Sequence, residues 1–432
     1  MTRSSSLKHS LKLSLRSLVR ELVRNLWGRV FVYPALARNE RSGASLNDYV
    51  ARRARRLGVS VPPDATRLQT VPPGAPLLTK TELRQHPERH VRPRRFGSLI
   101  RNTIRTSGTS GSPLTLVQSL GTVIREEGFV YRQLRWIGWQ PGQRRAWIRG
   151  DIVCDDQPAN GRYWCRDWVG NMLMMSSYHL SNATIGAYVA ALEEFDPVVI
   201  HAYPSSIAAL ANWLNAAGRT YRGQRLRGVM TSSETLEPEV RAAVTRAFGV
   251  TVFDWYGQAE RVSAIGTCEQ GRYHLLTDYA GVELLPREDG RSEVVGTSLN
   301  NTAMPLARYR TGDTVVQGSI DACPCGRVFP TVEAIIGRQE RIITLPDGRM
   351  VARLDRIFQG HDRQLVEGQV LYHGDARFTL RIVTADGFSA QDEAALVDKF
   401  LLRVPGVQVA VQRMEAIPRG PNGKFEFIAV EG

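Results

Sequence analysis

Apolar residues recur near the start of the chain at roughly helical spacing: Leu11, Leu13, Leu15, Leu18, Val19, Leu22, Val23 and Leu26, with Arg and Lys between them. The spacing predicts a basic, amphipathic helix. Residues 40–96 lose this rhythm; Arg, Pro and short turns read as an irregular, partly helical segment ending in "PLLTKTELRQHPERHVRPRR". Helical periodicity returns in "TVIREEGFVYRQLRWIGW", with Val123, Phe129, Val130, Leu134 and Ile137 as its apolar positions. Another helix is expected in "SNATIGAYVAALEEF", capped by Ser181 or Asn182 and stopped before Pro197.

Continuous apolar runs then alternate with helices. "PVVIHAYPSSIAALANWLNAAG" reads as a buried strand, a turn and a helix closed by Gly218. "LRGVMTSS", "EPEVRAAVTRAFG" and "VTVFDWYG" repeat strand, helix and strand. This order predicts an α/β chain with a parallel or mixed sheet covered by helices. Beyond about residue 270 the pattern turns to short strands, as in "GVELLPREDGRSEVVGTSL". From Gly337 it changes again, and "RFTLRIVTADG", "DEAALVDKFLLRV" and "VQVAVQRMEAIP" suggest a small α+β domain. The expected division is 1–336, with 1–75 as a basic helical lead-in, and 337–432.

Composition narrows the class. Of 432 residues, 43% are hydrophobic and 23% charged, which is a globular and not a disordered balance. No apolar run reaches the roughly 18 residues needed to cross a bilayer. A net charge of +14 favours anionic partners. Zinc-finger spacing, RNP strands and helix-turn-helix patterns are missing, so nucleic acid is not an expected partner. The N-terminal stretch lacks the uninterrupted apolar core and cleavage site of a secretion signal. Together with five cysteines, an odd number, this makes a reducing cytoplasm the expected location. The basic helix fits peripheral contact with an anionic membrane. It fits equally a first helix packed on its own domain, which is the preferred expectation.

Several stretches could carry chemistry. "TSGTSGSP" places Gly108 and Gly111, which permit close backbone approach, among the donors Thr106, Ser107, Thr109 and Ser110. It is a plausible phosphate cradle but not a Walker A loop, and taken alone it fits a linker better. In "FDWYGQAERV", Trp255 and Tyr256 could stack a planar ligand, Gly257 turns the chain, and Glu260 could bind a metal. Asp313 of "MPLARYRTGD" could accept two ribose hydroxyls, or form a salt bridge with Arg308 or Arg310. Lys424 of "PRGPNGKFEFI" is one of only five lysines. It offers a compact mobile cation, or is a plain surface residue. Cys268 and His274 of "CEQGRYH", with Cys323 and Cys325 of "CPCGR", make a complete tetrahedral zinc set, although Cys-x-Cys is tighter than usual. Cys154 and Cys165 read as ordinary thiols.

In combination these signals mean more. The order "TSGTSGSP", "SSETL", "WYGQAE", "RYRTGD", "GRQER", "GPNGKF" resembles the motifs of the adenylate-forming (ANL) ligases. Within them the chain is most similar to the phenylacetate-CoA ligase family and its CapK-like, capsule-biosynthesis branch. "PLLTKTELRQHP", "SYHLSNATIGAYVAALEEFDP" and "AYPSSIAALANWL" look like that branch in particular. The resemblance runs from about Pro76 to Lys424. It implies a large N-terminal adenylation domain of mixed sheets covered by helices, and a small mobile α+β C-terminal domain.

By resemblance, Thr106, Ser107, Gly108, Thr109, Ser110 and Gly111 would hold the ATP phosphates. Ser233 and Glu234 would lie beside adenine, Tyr256 would stack on it next to Gly257, and Asp313 would hold the ribose. Glu260 would reach Mg²⁺. Arg338 sits at the hinge, and Glu340 stands where relatives usually have Asp. Lys424 would bridge the substrate carboxylate and the α-phosphate. Relatives look similar at the cysteine cluster, which adds to the expectation of structural zinc.

The implied partners are a small carboxylic acid and a thiol acceptor, CoA or a carrier-protein pantetheine, in a monomer or homodimer. Thioester-forming relatives usually follow the hinge with a Gly- and Asn-containing loop. Here the stretch is "GRQERIITLPDGRMVARLDRIF". An amine acceptor, such as an amino acid or amino sugar, therefore stays open. So does a catalytically silent relative acting in assembly within polysaccharide or natural-product biosynthesis. The acid pocket is expected around Tyr131, Trp136, Tyr178, His179, Tyr203 and Trp255.

Overall fold

The computed structural model describes residues 3–94, 99–105, 114–154, 161–181, 183–318, 321–336, 343–351, 354–358, 365–384, 387–415, 417–418 and 427–431. The expected phosphate loop (106–111), Arg338, Glu340 and Lys424 lie outside these residues.

Helix α1 (Arg3–Arg20) runs through two wider turns, Glu21–Asn25 and Gly28–Val32, into α2 (Tyr33–Asn39). Helix α3 (Gly43–Leu57) starts where the Ser42 side chain accepts the Ser45 N–H, and it ends on Gly58 at φ +54°. Helix α4 (Lys80–Gln85) follows a Thr79 cap. Antiparallel strands β1 (Arg101–Arg105) and β2 (Thr115–Ser119) lead to α5 (Leu120–Ile137), capped by Ser119 and closed by Gly138.

The alternation of apolar runs and helices becomes β3 (Arg145–Arg149), β4 (Trp164–Asp167), β5 (Met172–Ser176), α6 (Ile185–Phe195), β6 (Val199–Ala202), α7 (Pro204–Ala216), β7 (Gly228–Ser232), α8 (Pro238–Phe248) and β8 (Thr251–Gly257). Gly218 lies just past α7 in the left-handed region, at φ +61°. Helix α6 starts later than its expected Ser181 cap. The Ser181 carbonyl accepts from the Thr184 and Ile185 N–H groups, and Thr184 takes the cap position. Asn182 is outside the described residues.

The short-strand region gives β9 (Ala264–Thr267), β10 (Tyr273–Leu275), β11 (Ala280–Pro286), β12 (Ser292–Ser298), β13 (Tyr309–Gln317) and β14 (Thr331–Ile336). All strands from β3 to β14 share one twelve-stranded sheet, ordered β11-β12-β13-β14-β10-β9-β8-β7-β6-β3-β5-β4. The block β5-β3-β6-β7-β8 is parallel; the remaining pairs are antiparallel. Alternate residues of the parallel strands bury opposite ways. Ile200, Val229 and Val252 pack under α6, α7 and α8. Val199, Met230 and Phe253 pack in the core that holds α5. Both faces are covered, which is why these strands read as continuous apolar runs.

After residue 342 come the short pair β15 (Ile343–Thr344) and β16 (Met350–Val351). Then β17 (Leu365–Gly374), β18 (Arg377–Thr384), α9 (Ala390–Leu401), β19 (Gln408–Arg413) and β20 (Ile428–Val430) build a four-stranded sheet, β19-β18-β17-β20. Leu396 and Phe400 of α9 join Val370, Phe378, Leu380 and Ile382 in a separate core. The chain is a mixed α/β structure with a large sheet and a small α+β unit.

Candidate functional site

The carboxyl ends of the parallel strands collect the polar residues. Arg149 ends β3 opposite Ser176 of β5, and Ser232 ends β7 opposite Trp255 of β8. Crevices outside strand carboxyl ends are where open α/β sheets bind ligands. Beyond β7 the chain turns sharply at Ser233, whose φ is +72°. Its hydroxyl accepts from Arg149 Nη2 at 2.6 Å. Glu234 then reaches the first turn of α7, accepting from the Ser205 N–H at 2.9 Å and the Ser205 hydroxyl at 3.1 Å. A carboxylate is favoured there by the helix dipole.

Strand β8 delivers Tyr256 and Gly257. The Tyr256 hydroxyl donates to Asp313 Oδ2 at 2.8 Å and accepts from Gln258 Nε2 at 3.2 Å. Burial, then the neighbouring Asp313 charge, push the phenol well above its usual range, so it remains a donor. Glu260 accepts from the buried Tyr309 hydroxyl at 3.1 Å. Arg308 and Arg310, the alternative partners for Asp313, bond elsewhere. Arg308 Nε donates to Glu283 at 2.9 Å, and Arg310 forks onto Glu293 at 2.6 and 3.1 Å. The "WYGQAE" and "RYRTGD" stretches are thus linked by two hydrogen bonds, and "SSETL" begins where Ser232 pairs with Trp255.

Strain marks the same stretches. Of seven non-glycine residues at positive φ among the described residues, Ser233, Arg261 and Arg308 fall in or beside these motifs. Each such residue costs about 1–3 kcal/mol and concentrates at ligand sites. Beside them lies a cleft of about 1230 Å³, lined by Thr235, Leu236, Arg241, Gly312 and Thr314 among others. It is roomy enough for a nucleotide.

The expected acid-pocket residues separate into two groups. Tyr203 sits under the Arg149 guanidinium, 5.0 Å from its ring centroid. Tyr178 donates to the Gly150 carbonyl at 2.9 Å, and His179 Nδ1 pairs with the Ser176 hydroxyl at 2.7 Å. These three gather at the strand ends. Tyr131 and Trp136 stand on α5: Tyr131 packs edge-on to Tyr33 and Trp139, and Trp136 packs on His274. Trp255 is buried in the core with α5. Trp255 nonetheless lies opposite Ser232 and pairs with Gly266, where a Cβ would stand 3.6 Å from the Trp136 ring, so this group borders the same strand end.

Sequence reasoning missed Arg149 and His201. His201 Nε2 lies 3.1 Å from the Ser232 hydroxyl and 3.5 Å from Arg149 Nη1. Burial first, then Arg149 and Arg145, hold its pKa well below the usual histidine range. The usable signal was position: both polar residues sit near the carboxyl ends of otherwise apolar strands.

The cysteine cluster forms beside α5, where Trp136 packs on His274. Sγ of Cys268 and Cys323 are 3.7 Å apart, and Cys325 Sγ is 3.4 Å from His274 Nε2. All four donor atoms lie within 4.8 Å of one another and all four residues are buried. Zn–S bonds of about 2.3 Å and Zn–N bonds of about 2.05 Å at tetrahedral angles give edges of about 3.8 and 3.6 Å. The donor set therefore fits zinc, and 3.7 Å is far too long for a disulfide. His274 Nδ1 faces the Phe329 carbonyl at 3.3 Å, the orienting contact that a ligating imidazole needs. Burial pushes the Cys268 thiol up to about 12. Burial also acts against the Cys325 thiolate, but the bonds from His274 and Arg327 bring that thiol down to about 6.

Comparison with known proteins relates the sequence to two kinds of curated relative. No family model matches the chain. Protein CapK of Staphylococcus aureus is 21% identical over 240 residues, covering 56% of this chain and 53% of that one. Phenylacetate-coenzyme A ligase of Thermus thermophilus is 25% identical over 292 residues, covering 63% and 62%. The chain thus spans between half and two thirds of the length of these curated relatives. Among solved structures, 2-hydroxyisobutyryl-CoA ligase with 2-HIB-AMP and CoA aligns with a TM-score of 0.48 at 17% identity, covering 93% of this chain and 89% of that one. In sequence the chain is CapK-like and phenylacetate-CoA ligase-like, and its resemblance to the adenylate-forming superfamily is borne out.

Proposed function

We propose that the chain is an AMP-forming acid ligase. A carboxylate oxygen attacks the α-phosphorus of ATP, the bond to the bridging oxygen breaks, and pyrophosphate leaves. The acyl-adenylate carbonyl is then attacked by a thiol of CoA or a pantetheine; the thiol proton is lost and AMP departs. The single observation that carries the reading is the hydrogen bond from Tyr256 to Asp313, which joins two motifs expected to face adenine and ribose.

The parts follow from charge. Attack of one anion on another needs cations, and Lys424 is the residue of this chain suited to the α-phosphate. Mg²⁺ would be held by Glu260 and would neutralise phosphate charge when bound. Thr106 to Gly111 would hold the phosphates, Ser233 and Glu234 would border adenine, and Arg338 with Glu340 would sit at the hinge. The boundary is placed at 336/337, so that rotation of the small unit can withdraw Lys424 before transfer. Structural zinc would be held by Cys268, His274, Cys323 and Cys325. It would fix the 321–330 loop to the β9–β10 turn and take no part in the chemistry.

The test is acid-dependent ATP–pyrophosphate exchange over a panel of aryl, fatty and amino acids, with Lys424→Ala beside the parent chain. Exchange lost by about 10²-fold or more in the variant supports adenylation. Thiol and amine acceptors can then be compared on the active acid. ATP binding without exchange for any acid would sink the ligase reading in favour of an assembly role.

A further inference from the structure

We propose that the outer face of the N-terminal helix is a docking surface for an anionic lipid bilayer. The helix is packed inside out. Its polar residues Ser10, Ser14, Ser17 and Asn25 are buried against the protein. The Ser10 hydroxyl accepts the Arg166 N–H at 3.2 Å, Ser14 accepts the Trp168 N–H at 3.0 Å, and Ser17 donates to Asp167. Further along, Gly28 meets Gly128 of α5 so closely that a Cβ on Gly28 would stand 2.9 Å from the Gly128 nitrogen. These contacts fix which side faces in.

Leu13 packs on the Cys165 and Met174 cluster, and the other leucines face out. Eleven of the eighteen exposed large hydrophobic residues among those described lie between Leu7 and Phe31. Leu15 and Phe31 are 65% and 68% exposed, and Trp27 stacks on Phe31 at the far end of the stripe. Soluble surfaces scatter such residues singly; a continuous stripe about 36 Å long, at 1.5 Å per residue, marks an interface. The stripe cannot cross a bilayer, because no helix among the described residues is long and apolar enough. It can lie flat in one, with an apolar face in the acyl boundary and aromatic rings at headgroup level.

Charge selects the occupant. Between Arg3 and Arg29 stand seven basic residues and one acidic one, Glu21, a net of 7 − 1 = +6. Lys8, Lys12 and Arg16 are exposed on successive turns beside the leucines. A second copy of this helix would bring two such +6 segments together, whereas anionic headgroups meet the same charge favourably.

The experiment is vesicle flotation of the full chain. Neutral phosphatidylcholine vesicles are compared with vesicles carrying about one third phosphatidylglycerol, at low and high salt. Two variants accompany the parent: Leu11→Gln/Leu15→Gln/Leu22→Gln, and Lys8→Gln/Lys12→Gln/Arg16→Gln. All six side chains point outward, so the thermal midpoint should not change. The parent is expected to float with anionic vesicles about tenfold more than with neutral ones. The leucine variant should lose flotation, and the basic variant should lose the anionic preference. Failure of the parent to float, or equal flotation of the leucine variant, would overturn the proposal. So would a dimer that the leucine variant converts to monomer while neither form binds vesicles.

Discussion

The Tyr256 hydroxyl donates to Asp313 Oδ2 across 2.8 Å, although β8 and β13 stand four places apart in the sheet. Four flat inter-strand steps would separate them by about 19 Å. The contact therefore needs the sheet to curl between β8 and β13, bringing a parallel-strand end against an antiparallel one. A carboxylate held this way can still offer oxygen to a ribose while the phenol fixes its orientation.

Replacing either residue separates the roles. Asp313→Ala removes a charged acceptor and should raise the KM for ATP by about 10- to 100-fold, as expected for one or two charge-assisted bonds. Tyr256→Phe keeps the ring and loses only the orienting bond, so the rise should be no more than about tenfold. Exchange kinetics at varied ATP give both numbers. Equal and small effects from the two variants would place the nucleotide elsewhere.

Pattern made the helices and parallel strands legible: α5, α7 and α8 fall in the stretches expected for them, and Gly218 closes α7. The start of α6 slipped because Ser181, a good cap by type, is consumed by a turn before the helix. The inward face of α1 could not be read, since hydrophobicity points to the leucines and the structure buries the serines. Residue type does not say which way a helix faces, so the contacts of Tyr131 with Tyr33 and of Trp136 with His274 could not be read from spacing. The cysteine cluster was legible because only four donors had to meet. Which residues touch an acid depends on side-chain direction, and no spacing encodes that.

Arg132 and Asp278 form a fork at 2.7 and 3.0 Å, with both side chains almost wholly buried. Asn39 also donates to Asp278, and the Phe129 and Phe329 rings face the guanidinium. Breaking such a pair strands a charge out of water. Asp278→Ala should cost about 3–5 kcal/mol in chemical denaturation, while Arg132→Met with Asp278→Leu should recover part of the loss. If the double variant is no better than the single one, shape and not charge is what the pair supplies.

His201 gives the protein an acid sensitivity. Its folded pKa lies well below 6.5, with burial the main cause, so the folded state keeps it neutral where the unfolded chain binds a proton. Its contribution is intact above pH about 6.5 and is lost as pH falls towards the folded pKa, at up to about 1.4 kcal/mol per pH unit. Thermal midpoints from pH 7 downward should fall more steeply for the parent than for His201→Gln. Parallel curves would mean that another group sets the acid limit.

The cysteine cluster makes the most direct metal prediction. Two of its donor separations, 3.7 and 3.4 Å, are close to the edges of a zinc tetrahedron, and its surroundings explain why the metal would matter. Arg41 donates to the Cys325 carbonyl at 3.0 Å, Trp136 donates to Glu40 at 2.7 Å, and Arg327 lies over Trp136 while bonding Glu269. The cluster thus ties the end of α2, the end of α5 and the 321–330 loop into one corner of the sheet. Elemental analysis should find about one zinc per chain, and Cys268→Ser or Cys323→Ser should abolish it, because three ligands hold structural zinc poorly. The thermal midpoint should drop by roughly 5 °C or more in either variant and on strong chelation of the parent, since binding free energy here is folding free energy. Pyrophosphate exchange per folded molecule should be unchanged at low temperature, because none of the four donors is among the residues proposed to touch nucleotide. A metal-free parent with an unshifted midpoint would instead make these four residues a plain core cluster, held by burial and the His274–Cys325 hydrogen bond alone.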